Sequence, residues 1–229
     1  MNAATATASS QVIAVLGGTG QEGSGLALRW AASGHQVIIG SRAPERAAAT
    51  AAQLLQKLGA SAHLRGTTNI EAARAASVIV LTVPPTAQLA AAEEVKSELI
   101  GKLLIDATVP LIPPRVERVQ IPGGESAVVR LQRHLDADVR IVSAFQNVAA
   151  EHLHDLAHPI DCDVLVCGDD AQAREKVIAL AADAGMRAWH AGVLANSLAV
   201  EALTSVLIAI NKRYKVPGAG IRITMPAKH

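Results

Sequence analysis

The chain has 229 residues, half of them apolar and 18% charged, and a formal net charge of +1. That length allows one substantial core, or a larger and a smaller domain, and the composition excludes a disordered chain. The near-neutral charge gives no general pull toward nucleic acid or an anionic membrane, and Trp30, Phe145, Trp189 and Tyr214 are too few aromatics for a base-stacking platform.

Residues 1–10 are rich in Ala, Thr and Ser, without a basic start or an apolar run, and read as a disordered tail rather than a signal peptide. Val12 to Leu16 then has the pattern of a buried strand, followed by the glycine-rich run Gly17-Gly18-Thr19-Gly20-Gln21-Glu22-Gly23-Ser24-Gly25 and a helical pattern from Leu26 to Ala31. In Gly18-x-Gly20-x-x-Gly23 the first glycine permits a tight turn, the second lets the backbone approach a pyrophosphate, and the third allows close helix–strand packing. The positive helix end faces the phosphates. A lone glycine triplet is a weak signal; strand before and helix after make it a dinucleotide fingerprint.

Residues 34–40 read as the second strand. Chains that bind NAD usually carry an Asp or Glu at its end, about 20 residues after the glycines, for the ribose 2′-hydroxyl. This chain has Ser41-Arg42. A carboxylate repels a 2′-phosphate, whereas a hydroxyl and a guanidinium donate hydrogen bonds to one, so NADP(H) is expected. Arg46, one turn further on, either adds a second positive charge or is a solvated helix residue.

Pro44 to Leu58 is an alanine-rich helix with Gly59 past its end. Residues 60–67 form a weak third strand and 69–76 a short helix. Residues 77–85 are a fully buried parallel strand ending in prolines, 86–100 a helix, and 103–110 a second strand with the same ending. Thr82-Val83-Pro84 and Thr108-Val109-Pro110 should line the cleft, because ligands of open parallel sheets sit outside the carboxyl ends of the strands. Residues 112–126 are Pro- and Gly-rich and read as a flap, 127–135 as a helix, and 139–145 as the sixth strand, with Gln146-Asn147-Val148 at its cleft end.

Past residue 150 the alternation restarts on a smaller scale, with strands at 163–167 and 186–190 and helices at 170–184 and 196–214. The expectation is an α/β chain: a Rossmann-type, doubly wound parallel sheet over 11–150 and a smaller C-terminal α/β domain over 151–229 that supplies a substrate wall and a dimer face. Cys162 and Cys167 point to opposite faces of a strand and read as buried, unpaired thiols of a reducing cytosol. The apolar run 198–210 carries Glu201 and is too short to span a bilayer, so a cytoplasmic protein without a membrane partner is expected.

The only tyrosine, Tyr214, is followed four residues later by Gly218, which excludes a Tyr-x-x-x-Lys acid. Lys176, Lys212 and Lys215 fall on polar helix faces or ends. His152, His154 and His158, with Asp155 and Asp161, sit on too short a scaffold for a metal and read as surface histidines. No catalytic acid or base is assigned. A cleft short of such groups suits hydride transfer between two cofactors, where positioning does the catalysis.

The chain resembles the NADPH-dependent reductases of the deazaflavin coenzyme F420, the F420H2:NADP oxidoreductases, over nearly its whole length. The matching pieces are Leu16-Gly17-Gly18-Thr19-Gly20, Gly40-Ser41-Arg42, Leu81-Thr82-Val83-Pro84, Val166-Cys167-Gly168-Asp169-Asp170, Asn196-Ser197, Glu201-Ala202-Leu203-Thr204 and Gly220-Ile221-Arg222. The resemblance implies that Thr19, Ser41, Arg42 and Arg46 hold the NADP phosphates and that Val83-Pro84 and Val148 bound the nicotinamide and deazaflavin rings. It places Thr204 and the Gly218-Ala219-Gly220 turn on the deazaflavin side, and it implies a homodimer. With Gly18, Gly20, Gln21, Glu22, Thr82, Ala144 and Asn147 these make up the expected cofactor-binding set. Asn147 or backbone N–H groups would face the N1–C2 edge of the deazaflavin, where negative charge collects on reduction.

This chain departs from archaeal members of the family at Pro85-Thr86, where they carry a bulky aromatic, and at Gln146-Asn147-Val148-Ala149, where they carry His-Thr-Ile-Pro. Its segment 110–115 is also longer. An NADPH-dependent reductase of FMN or FAD and a non-catalytic NADP-binding regulatory subunit therefore stay open. So do the readings of three C-terminal features. Thr204 could bond a carbonyl one turn back. Glu201 must find a donor. Lys212-Arg213-Tyr214-Lys215 with Arg222 either meets the coenzyme's tail or balances a helix C-terminus.

Overall fold

The computed structural model describes residues 10–59, 61–135 and 137–225. Eight strands among them form one sheet: β1 (Val12–Leu16), β2 (Gln36–Ser41), β3 (Leu64–Thr68), β4 (Val78–Leu81), β5 (Leu103–Asp106), β6 (Arg140–Ser143), β7 (Val164–Gly168) and β8 (Ala188–His190), in spatial order β3-β2-β1-β4-β5-β6-β7-β8. The six N-terminal strands are parallel, and the order reverses between β1 and β4, the switch point at which open α/β sheets bind ligands.

Period-two alternation divides the apolar residues of the central strands between two cores. Ile13, Val15, Val37, Ile39, Val78, Val80 and Ile105 enter the core on one face. Ala14, Leu16, Ile38, Ile79, Leu81 and Leu104 enter the core on the other. Both faces are covered by helices, so no strand position can be polar without a partner. The first face carries α1 (Gln21–Ala32) and α2 (Pro44–Leu58). The second carries α3 (Asn69–Ala75), α4 (Gln88–Glu94), α5 (Lys96–Leu99) and α6 (Ala127–His134). The helix expected over 86–100 is divided, because Val95 turns into the core with φ −110° and ψ 9° between α4 and α5.

The parallel sheet expected over 11–150 is present, and the C-terminal strands extend it into a mixed sheet: β7 runs antiparallel to β6, with Val142 opposite Gly168 and Ser143 opposite Cys167, and β8 is parallel to β7. A parallel return needs a crossover element that carries the chain back along the sheet. The connection between β6 and β7 holds only the four-residue α7 (Ala150–Leu153), so the chain enters β7 from the end at which it left β6. The residue-150 boundary thus falls within one continuous sheet. Residues 1–9, most of the expected tail, and Ala60, the expected start of the third strand, lie outside the described residues. Ser10 donates from Oγ to the Gly34 carbonyl at 3.0 Å.

The C-terminal segment, with α8 (Ala171–Asp183) and α9 (Ser197–Tyr214), is fastened to α1 by two adjacent side chains. The buried Arg29 guanidinium donates to the carbonyls of Leu153 (3.0 Å), His152 (2.9 Å), Asp155 (2.8 Å) and Ala184 (3.2 Å), and so caps the ends of both α7 and α8. Trp30 donates from Nε1 to the Leu180 carbonyl at 2.8 Å and meets Phe145 edge-on at 5.8 Å. Both cysteines are free and buried. The helical run Leu194–Tyr214, with a mean hydropathy of 1.5, is long and apolar enough to cross a membrane by length and composition, beyond the 198–210 limit expected. Its Glu201 is buried against α6, while Val206, Ile210 and Tyr214 are exposed.

Asp163, at the start of β7, gathers the C-terminal end of the chain. Its carboxylate accepts from Arg187 Nε (2.8 Å) and Nη2 (2.6 Å), Trp189 Nε1 (2.7 Å) and the Ile223 amide (2.7 Å). The Arg187 hydrogen bonds, against the cost of burial, hold its pKa down at about 2. A carboxylate with a depressed native pKa stabilises the fold above its unfolded value and loses that contribution as pH falls through the native one. Asp163→Asn is therefore expected to lower stability at neutral pH by about 2 kcal/mol. The gap from the parent should close as the pH is lowered from about 4 toward 2, read by urea unfolding across that range. A gap independent of pH would sink the assignment.

Candidate functional site

The cleft forms where β1 hands over to α1. The left-handed turn belongs to Gly17 (φ +78°), not to Gly18 as the fingerprint suggested. A Cβ on Gly17 would stand 2.8 Å from Val83 Cγ1. Gly18 is required for a different reason: a Cβ there would lie 2.7 Å from the Val15 carbonyl oxygen. On Gly23 it would lie 2.4 Å from Thr82 Oγ1 and 2.8 Å from the Gly18 Cα. These approaches seat the first turn of α1 directly on the ends of β1 and β4. Gly20 caps α1 with no side-chain acceptor, so the first N–H groups of the helix stay open for an anion.

From this turn runs a cleft of about 880 Å³. Thr19, Gly20, Gln21, Ser41, Arg42 and Arg46 line one part of it, and Glu22, Thr82, Val83, Pro84, Val148 and Thr204 also contribute. Ser41 Oγ accepts from the Ala43 amide at 3.1 Å, which leaves its own O–H to donate. Arg42 and Arg46 are exposed, and among the described residues neither has an ion-pair partner.

Four of the expected residues do not reach the cleft. Gly18 lies beneath it, and Ala144 is fully buried in the core, its amide bonded to the Asp106 carbonyl at 3.2 Å. Asn147 turns away: its Nδ2 donates to the Asp163 carbonyl (2.7 Å) and contacts Cys162 Sγ (3.3 Å). The expectation that it faces a ring edge is corrected, and the cause is local. The strand stops at Ser143, and Phe145 adopts a left-handed backbone (φ +76°), so strand alternation does not continue through 145–147. Gln146 faces the cleft instead, its Nε2 held by the Asp106 carbonyl and Ser143 Oγ, both at 2.8 Å.

Ala219 also lies elsewhere, because α9 ends at the left-handed Lys215 and the Ala219 amide is pinned to Asn211 Oδ1 at 2.7 Å. The flanking Gly218 and Gly220 line a separate cavity of about 120 Å³ with His152 and Cys162.

The open C-terminal readings resolve locally. Thr204 donates to the Gln146 carbonyl at 2.8 Å, tying α9 to the cleft wall rather than bonding back along its own helix. Glu201 accepts from Ser126 Oγ (2.6 Å) and the amides of Ala127 (2.9 Å) and Val128 (3.2 Å), capping α6, and burial raises its pKa. Lys212 pairs with Glu117 at 2.7 Å and Arg222 with Asp161 at 2.8 Å. His154 bonds the Gln21 carbonyl at 2.9 Å and His152 the Gly218 carbonyl at 3.2 Å, so these histidines serve different partners.

Sequence reasoning named Glu22 as a cleft residue but missed the neighbouring carboxyl of Asp106. Glu22 lines the cleft with Oε1 buried and unpartnered, and its pKa is pushed up to about 8 by burial and by the charge of Asp106. Asp106, raised to about 7 chiefly by burial, accepts from the Thr108 amide at 3.0 Å and from Gln88 Nε2. The available signal was an Asp closing the apolar run Leu103-Leu104-Ile105.

Residues 12–110 match the family model described as NADP oxidoreductase, coenzyme F420-dependent. The chain is 41% identical over 219 residues to the F420-dependent NADP reductase of Methanocaldococcus jannaschii, covering 93% of this chain and 97% of that one. This chain belongs to the F420-dependent NADP reductase family. The family member from Methanothermobacter marburgensis is 42% identical over the same coverage. A crystal structure of a putative F420-dependent NADP reductase from an Arthrobacter species superposes with a TM-score of 0.81 at 25% identity, over 94% of this chain and all of that one.

Since the cleft depends on the seat of α1, Gly23→Ala is expected to push the helix off β4. The Cβ meets Thr82 Oγ1 and the Gly18 backbone, an overpacking that costs about 1–3 kcal/mol in urea unfolding. Stability equal to the parent's would show that the contact relaxes freely.

Proposed function

We propose that the protein transfers a hydride reversibly between NADP(H) and the deazaflavin coenzyme F420. The observation that carries this reading is one cleft joining an anion-reading turn and two unpaired arginines to a wall of Val83, Pro84, Val148 and Thr204 in which no Lys, Tyr or His takes part. The buried, unpartnered Asn69 Oδ1 and Gln146 Oε1 on cleft residues fit a ligand that supplies donors along its length.

Bound in the cleft, NADP(H) and the deazaflavin would supply the hydride donor and the hydride acceptor, in either direction. The chain contributes position. The open N–H groups of α1 hold the pyrophosphate, and Ser41, Arg42 and Arg46 hold the 2′-phosphate by charge-assisted hydrogen bonds. Val83, Pro84 and Val148 confine the rings and exclude water, and no side chain moves a proton in the hydride step. Gln146, fixed by Ser143 and the Asp106 carbonyl, presents its free carbonyl oxygen to an amide donor.

Residues 11–150 form the dinucleotide half in this reading, and 151–229 the half that completes the substrate wall through Thr204. The protein is a cytoplasmic homodimer, its copies meeting over the exposed apolar residues Val206, Ile210 and Val216 around α9.

Arg42→Ala is expected to weaken NADPH binding by about 1.5–3 kcal/mol while leaving NADH nearly unaffected, measured by calorimetry. An unchanged preference between the two dinucleotides would remove Arg42 from the phosphate site. In stopped-flow mixing with NADPH, the absorbance of oxidised F420 should bleach. Reduction of FMN or FAD at a greater rate would favour a flavin reductase, and tight NADPH binding with no turnover on any acceptor would favour a regulatory subunit.

A further inference from the structure

The acids beneath the cleft have no role in the hydride step. Glu22 is the second residue of α1, beside the N–H groups offered to the dinucleotide phosphates, and Asp106 closes β5 on the other side of Thr82. Both oxygens of Asp106 are already engaged by neutral donors, Thr108 N and Gln88 Nε2. Gln146 spends its amide donor on the Asp106 main-chain carbonyl and on Ser143.

Among the described residues, the surrounding elements supply no compensating positive charge at this spot. β4 contributes the neutral Thr82, bonded to the Leu16 carbonyl, and α4 the neutral Gln88. From α9 comes Glu201, whose charge opposes ionisation of Asp106. After α7 comes His154, occupied by the Gln21 carbonyl and Ser24 Oγ. On α1 itself Arg29 is engaged by the carbonyls around α7 and α8, and Arg42 and Arg46 follow β2 on the other side of β1. Two carboxyls close enough to raise one another, with Glu22 Oε1 buried and unpartnered at the cleft wall, are most stable when they hold at least one proton between them.

Resting on the reading of the cleft as an NADP(H) site, we propose that Glu22 and Asp106 form a proton-holding pair whose protonated state is the one that binds the dinucleotide. An ionised Glu22 would set a negative charge against the pyrophosphate. A protonated Glu22 removes that repulsion and turns an unpartnered oxygen into a donor toward the ligand. Phosphate charge brought alongside makes the proton harder to lose, so above neutral pH binding takes one proton from solvent and breaks no other bond. Glu22 is thereby a positioning and affinity residue, not a catalytic one. The pKa values of about 8 for Glu22 and about 7 for Asp106 place the transition within reach of solution measurement.

The test is calorimetric titration of the full-length protein with NADPH between about pH 7 and 9.5, in buffers of different ionisation enthalpy. The range lies above the titration of the 2′-phosphate at about pH 6, which would act with the opposite sign. The parent is expected to take up protons near pH 8 and to lose affinity up to about tenfold per pH unit above it. Glu22→Gln, neutral at every pH, should bind with no proton uptake and a flat profile. Asp106→Asn should move the midpoint to lower pH, because the charge that raises Glu22 is gone. Absence of uptake in the parent, or the parent's slope retained in Glu22→Gln, would overturn the pair. No NADPH binding by the parent at any pH would instead remove the reading of the cleft, and the inference with it.

Discussion

How closely α1 can approach β1 and β4 decides most of what lies on the carboxyl side of the sheet. Backbone meets backbone at Gly18 and Gly23, and Thr82 Oγ1 occupies the space that a Cβ on Gly23 would need. A side chain at either glycine would lift the helix and take its open N–H groups away from the strand ends. Thr82 also bonds the Leu16 carbonyl at 3.0 Å, so the seat of the helix and the β1–β4 pairing at the switch point form one arrangement. The helix dipole reaches the cleft only because this packing is so tight.

The far end of the same helix holds the C-terminal part of the chain. Arg29 and Trp30, one turn before the end of α1, bond carbonyls at the ends of α7 and within α8. A buried guanidinium is costly alone, and here each of its three nitrogens finds an oxygen, which makes it a rigid fastener. One helix therefore positions the anion-binding turn at its N-terminus and the C-terminal segment at its C-terminus. Thr204 then bonds the Gln146 carbonyl on the cleft wall.

Charge along the cleft is unevenly distributed. Two exposed arginines follow β2, while the ground around the ends of β4 and β5 holds Glu22 and Asp106 with Glu201 behind. The positive end suits an extra phosphate. The acidic end is tolerable only where protons offset the charge, because burial removes the solvent that would otherwise screen it.

Strand and helix alternation, the six N-terminal strands, the glycine fingerprint and the Ser41-Arg42 pair were legible in the residues alone, since each rests on local periodicity or on chemistry between near neighbours in the chain. Long-range contacts decided the rest. The antiparallel entry of β7 follows from a connection with too little helix to carry the chain back. The inward turn of Asn147, and Gln146 taking its place, follow from one left-handed residue, Phe145, held in the core by Trp30. The acid pair joins residues far apart in the Rossmann half, and nothing in either local sequence says that the fold will bring their charges within reach of one another. Sequence determines which groups exist and their local geometry; burial and distant partners, which only folding assigns, determine which way each group points and whether it keeps its proton.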